Sequence, residues 1–146
     1  MRRVLACLDL DQTKTNDSLL ACARELAGPG GEIVILHVAP PDPEFLGYDF
    51  GPQVVRDQAA MELRKEHKTV QEIAAKVRES GAQVLPLTVQ GVIVDAILEH
   101  AERLPASFIV LSSPGHWAVH DLVVPSTVRG VLQKSKVPVV VVPIRD

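Results

Sequence analysis

The chain has 146 residues, 47% of them hydrophobic and 23% charged, a balance that suits one globular domain over residues 1–146 and excludes a disordered chain. Its formal net charge of −3 gives no basic field to attract DNA or RNA, which argues against a nucleic-acid partner. No segment approaches the ~20 apolar residues of a membrane span, and the apolar run after Met1-Arg2-Arg3 is too short for a signal peptide. With Cys7 and Cys22 as the only cysteines, reduced thiols and a cytoplasmic location are expected.

Aromatic residues make up only 3% of the chain, so the core must be aliphatic, as in buried parallel strands covered by helices. The first strand is expected over Val4 to Leu8. A polar stretch from Asp9 to Ser18 follows, and Leu19, Leu20, Ala23, Leu26 and Ala27 then recur at helical spacing. Gly28-Pro29-Gly30-Gly31 stops that helix. Glu32 to Val38 reads as the second strand, and the unbroken run Ile33-Val34-Ile35-Leu36 implies burial on both faces. After Pro40, Pro41 and Pro43, an irregular stretch lasts to about Pro52. A long helix is predicted from about Gln53 to Ser80, with Leu63, Val70, Ile73, Ala74 and Val77 facing the core and Gly81 as its stop. Val84 to Val89 should be a strand at a sheet edge, because Pro86 removes one ladder donor.

Gly91 begins a turn, and Val94, Ile97, Leu98 and Ala101 form the stripe of a third helix. Phe108 to Leu111 is a strand. Val128, Val131 and Leu132 mark a short fourth helix, and Val137 to Val142 a last strand. Strand and helix alternate throughout, which predicts an α/β fold with a doubly wound parallel sheet, helices on both faces and right-handed crossovers.

The segment from Val110 to Pro143 resembles the C-terminal signature of universal stress proteins. That pattern is a strand, Gly-x-x-Gly, nine residues, Gly-Ser/Thr, a helix, and a Pro before a valine-rich strand. Here Ser112-Ser113-Pro114-Gly115 occupies the first part, Pro125-Ser126 the second, and Val137-Pro138-Val139-Val140-Val141-Val142-Pro143 the last. Val4-Leu5-Ala6-Cys7-Leu8-Asp9 looks like the family's first strand with its terminal aspartate, and Leu36-His37-Val38 like the second-strand ending. Gly91, Asp95, Ile97 and Leu98 resemble the start of the third helix. The resemblance spans nearly the whole chain. It implies a single sheet of five parallel strands in the order 3-2-1-4-5, of the adenine nucleotide alpha hydrolase-like type.

The resemblance also implies an adenine-nucleotide site. In members that bind ATP, the aspartate ending the first strand and the residue after the second-strand histidine hold adenosine, and the Gly-rich loop holds the phosphates. Carried over, the site residues are Leu8, Asp9, Val38, Leu111, Ser112, Gly115, His116, Ser126 and Thr127. In doubly wound sheets, ligands settle at the carboxyl ends of strands where the strand order reverses. The resemblance puts that reversal between the first and fourth strands. Asp9 offers an acceptor for ribose hydroxyls or the adenine amino group. Ser126 and Thr127 at a helix start suit an anion, with Ser126 expected as the N-cap.

Two of the three motif glycines are replaced. Ser112 carries a Cβ that obstructs close backbone approach, and Pro125 has no N–H. A hydrogen bond to a charged group contributes ~1.5–3 kcal/mol, so losing one weakens phosphate binding roughly 10- to 100-fold. Ser112 to Pro125 contains no Lys or Arg, only His116 and His120, and it carries Asp121; Lys14 and Arg129 compensate in part. ATP, a monophosphate, a cyclic nucleotide and no ligand are all left open, and no cofactor is required.

The remaining signals have plainer readings. Asp9 also suits a solvated loop or a helix cap, and Gly115 a simple turn. His116 and His120 lack a third partner at metal-ligand spacing, and neither a Gly-x-Ser-x-Gly elbow nor a Cys-x-x-Cys motif occurs. Trp117 suits a ligand cover or a partner contact, with packing as the default expectation, and Arg64-Lys65-Glu66-His67-Lys68 reads as a solvated helix face. The expected function is a stress-response or regulatory binding module rather than an enzyme. The alternatives are a dimeric interaction module without ligand and a weak nucleotide hydrolase or adenylyl-transfer enzyme; the lack of a Walker A lysine motif and of clustered carboxylates for Mg²⁺ weighs against the latter. A homodimer is expected through Val137 to Val142, an edge strand that the short tail cannot cover.

Overall fold

The computed structural model describes residues 2–10, 13–41, 53–114 and 125–144. In chain order its elements are β1 (Arg3–Cys7), α1 (Thr13–Ala27), β2 (Glu32–Ala39), α2 (Gln53–Arg78), β3 (Gln83–Gln90), α3 (Ile93–Arg103), β4 (Phe108–Pro114), α4 (Ser126–Lys134) and β5 (Val139–Ile144). The strands form one parallel sheet in the order β3-β2-β1-β4-β5. The doubly wound sheet and its strand order are those expected, and β3, with Pro86 opposite Ile35, lies at an edge.

The apolar runs explain the layers. In β2, successive side chains alternate between two cores: Ile33 and Ile35 join one cluster, Val34 and Leu36 the other. All four are fully buried, and such burial contributes about 1.5–3 kcal/mol per side chain. The first cluster is closed by Leu19, Leu20 and Ala23 of α1 and by Val70, Ala74 and Val77 of α2. The second is closed by Ile97 and Ala101 of α3 and by Val128 and Val131 of α4. Helices therefore cover both faces, α1 and α2 on one and α3 and α4 on the other.

Gly28 ends α1 with φ +67° and its N–H donates to the Arg24 carbonyl at 3.0 Å, a left-handed cap that favours glycine. Gly130 serves a different need. A Cβ there would stand 2.9 Å from Cγ2 of Val94, so its absence lets α4 lie close against α3.

Several expectations shift. The polar stretch after Asp9 is not all loop, because α1 begins at Thr13. Ser112, Ser113 and Pro114 belong to β4, paired with Val142, Pro143 and Ile144 of β5, so the first part of the glycine-motif segment is strand. The last strand starts at Val139 rather than Val137. Leu132, placed in the apolar stripe of the fourth helix, is 49% exposed. Ser126 is not an N-cap: Pro125 holds that position, without a side-chain cap bond, and Ser126 opens the helix. In the expected solvated face of α2, Glu66 and His67 are instead partly buried and bonded to the sheet strands.

Candidate functional site

A cleft of about 470 Å³ opens over the carboxyl ends of β1, β2 and β4. Its position follows from topology: β1 sends its connection to β2 on one side, while β4 pairs on its other side, so the connections diverge and leave a gap. Leu8 lies just past β1, and its N–H still donates to the Leu36 carbonyl at 2.9 Å. Asp9 is the next residue and is exposed.

Six of the expected site residues, Leu8, Asp9, Val38, Leu111, Ser112 and Thr127, line this one cleft. Ser126 is exposed and is not among the lining residues. Gly115 and His116 lie outside the described residues, as do His120, Asp121 and Trp117. Among the described residues no group of three or more His, Cys, Asp or Glu side chains is arranged to hold a metal ion.

The lining of the cleft is chemically mixed. Val38, Ile93, Ile97, Leu111 and Val128 give it an apolar wall. The start of α4 also lines it, through Pro125, Thr127 and Val128: the Arg129 N–H donates to the Pro125 carbonyl at 2.9 Å, which leaves the amides of 126–128 without intrahelical acceptors. Such an end favours negative charge. The described lining contains two acids, Asp9 and Glu66, and no Lys or Arg.

Four side chains in or beside the cleft were not among the expected site residues. Asn16, on α1, is 4% exposed; its Nδ2 donates to the Asp9 carbonyl at 3.1 Å and its Oδ1 accepts the Asp9 N–H at 3.4 Å. His37 on β2 and Glu66 on α2 both line the cleft, and the His37 Nε2 donates to Glu66 Oε2 at 3.2 Å. Cys7 forms part of the same surface. Desolvation by the surrounding residues pushes its thiol up to about 12. Helical periodicity identified the buried faces of α1 and α2, but a polar side chain that bridges helix and strand has no such period.

The sequence profile of the Universal stress protein family matches residues 1–143. The chain belongs to that family. Solved structures share its fold. Hypothetical protein MJ0577 superposes with a TM-score of 0.77 at 21% identity, covering 99% of this chain and 97% of its own. A universal stress protein in complex with cAMP gives 0.64 at 18% identity, with 99% and 98% covered. The universal stress protein from Archaeoglobus fulgidus in complex with dAMP gives 0.61 at 19% identity, with 97% and 96% covered. A comparison with curated proteins returns no match.

Proposed function

We propose that this universal stress protein is a regulatory binding module that takes an adenine nucleotide in the cleft and holds adenosine more firmly than phosphate. The observation that carries the reading is that Asp9, apolar side chains and the start of α4 line one cleft. Asp9 accepts hydrogen bonds from ribose hydroxyls, Val38 and Leu111 pack on the base, and the α4 amides with Thr127 receive an anion. The complexes of similar proteins with cAMP and dAMP support an adenine ligand with a single phosphate. Ser112, which lines the cleft and carries a Cβ where the motif has none, Pro125 without an N–H, and the acidic lining all disfavour a longer phosphate chain.

Calorimetry with adenosine, AMP, cyclic AMP and ATP tests this. ATP should bind weakly, and no more tightly than AMP. Submicromolar ATP affinity that is lost on shortening the phosphate chain would overturn the reading.

A non-enzymatic role is part of the same proposal. The thiol in the described lining, Cys7, is held protonated by burial and is no nucleophile near neutral pH. Turnover of ATP with Mg²⁺ or Mn²⁺ would favour a hydrolase or transferase instead.

We also propose that the protein works in the cytoplasm as a homodimer joined through β5. The two free thiols, Cys7 and Cys22, suit a reducing compartment. No helix among the described residues is long and apolar enough to cross a membrane. β5 is an edge strand with four consecutive valines, and a β-branched edge favours pairing with its copy about a two-fold axis. Val140 packs against the first core cluster, so replacing it with lysine perturbs the core rather than the edge. Sedimentation is the cleaner test: the unmodified protein should be a dimer at micromolar concentration, and a monomer would end the proposal.

A further inference from the structure

We propose that Asn16 is a positioning residue that aims the Asp9 carboxylate into the cleft; this rests on the adenosine-site reading above. The parallel ladder ends at Leu8, whose N–H is the last on this strand to bond β2, at the Leu36 carbonyl. Asp9 follows directly, just beyond the strand. Asn16 bonds both of its peptide groups. Its Nδ2 donates to the Asp9 carbonyl and its Oδ1 accepts the Asp9 N–H, at 3.1 and 3.4 Å. These two atoms belong to the two peptide units that flank the Asp9 Cα. Holding both restricts the φ and ψ of Asp9 together, and with them the direction of its Cα–Cβ bond.

Burial makes the clamp directional. Asn16 is 4% exposed, and a buried carboxamide is costly unless its donor and acceptor are both used. Asparagine inside a helix is also a weak helix former. Its presence on the inner side of α1, beside an apolar stripe, is accounted for by the pair of bonds to Asp9. Because α1 is packed into the first core cluster through Leu19, Leu20 and Ala23, the clamp refers the position of Asp9 to the core rather than to the connection between β1 and α1.

The test compares Asn16→Ala, Asn16→Asp and a core control, Val70→Ala, which lies in α2 and does not line the cleft. Adenosine affinity is measured by calorimetry at a temperature where every variant is folded. Asn16→Ala should weaken binding roughly tenfold, the effect of one or two hydrogen bonds, while Val70→Ala stays within about twofold of the unmodified protein. Asn16→Asp keeps the size of the side chain and the acceptor for the Asp9 N–H, but when ionised it loses the donor to the Asp9 carbonyl. Its affinity relative to the unmodified protein should therefore be poor at pH 8 and recover at pH 5 as the new carboxyl gains a proton and a donor. Val70→Ala, which changes packing without adding a titrating group, should show no such recovery. Equal affinity in Asn16→Ala and the unmodified protein, losses in Asn16→Ala and Val70→Ala that simply follow their melting temperatures, or a flat pH ratio for Asn16→Asp would each overturn the proposal. If the unmodified protein binds no adenosine, the site reading fails instead. Hydrogen exchange then decides the clamp: faster exchange of the Asp9 amide in Asn16→Ala upholds it, and unchanged exchange ends it.

Discussion

Asp9→Ala should lower adenosine affinity by about 10- to 100-fold while leaving the melting temperature within a few degrees. The size follows from a carboxylate that accepts hydrogen bonds from ribose hydroxyls, since a bond to a charged group contributes ~1.5–3 kcal/mol. The small structural effect follows from where the residue sits. Asp9 is exposed and belongs to neither core cluster. The bonds that fix it to Asn16 come from its main chain and survive truncation of the side chain. Surface substitutions of this kind change stability by about 0.5 kcal/mol or less. Calorimetry paired with a thermal melt reads both quantities. Unchanged affinity in a folded variant would mean that any ligand sits elsewhere.

The opposite change is expected when the missing glycines are restored. Ser112→Gly combined with Pro125→Gly should raise ATP affinity by about 10-fold, and up to about 100-fold, by returning one backbone donor and close approach. The two substitutions contribute unequally. Pro125 is the N-cap of α4, with φ −53° and ψ 145° and no side-chain cap bond. Glycine is well tolerated at an N-cap, and the carbonyl that accepts the Arg129 N–H is retained. Ser112 pairs with Val142 inside β4, where glycine costs about 0.5–1 kcal/mol of strand stability. Most of the gain should therefore appear in Pro125→Gly alone. Titration of both variants with ATP and AMP checks this, and no gain in either would make charge the obstacle, through Asp9 and Glu66 in the lining and Asp121 in sequence.

The sheet was legible in the sequence where one physical cause dominated. Ile33 to Leu36 is apolar without a break because both faces of β2 are covered. Pro86 points to an edge because a ladder donor is missing there, and β3 is an edge. Legibility failed where a partner far along the chain decides the outcome. Ser112-Ser113-Pro114 has the composition of a turn, yet pairing with Val142, Pro143 and Ile144 extends β4 through it, since strand pairing overrides weak local preference. The last strand is displaced in the same way: the Pro138 carbonyl already accepts the Ile109 N–H, but regular strand begins only at Val139.

The candidate site divides along the same line. Asp9, Val38 and Thr127 were legible because a resemblance supplied their order and spacing, and they line one cleft. Asn16 was hidden in a stretch whose polarity suggests a loop. Glu66 and His37 are 29 residues apart, and nothing local in either segment announces the other.

The burial of Cys7 has a consequence for oxidation chemistry. Peroxides attack the thiolate, and a thiol pushed up to about 12 has only about one part in 10⁵ in that form at neutral pH. The Cys7 sulfur, part of the cleft lining, should therefore react slowly with peroxides at neutral pH.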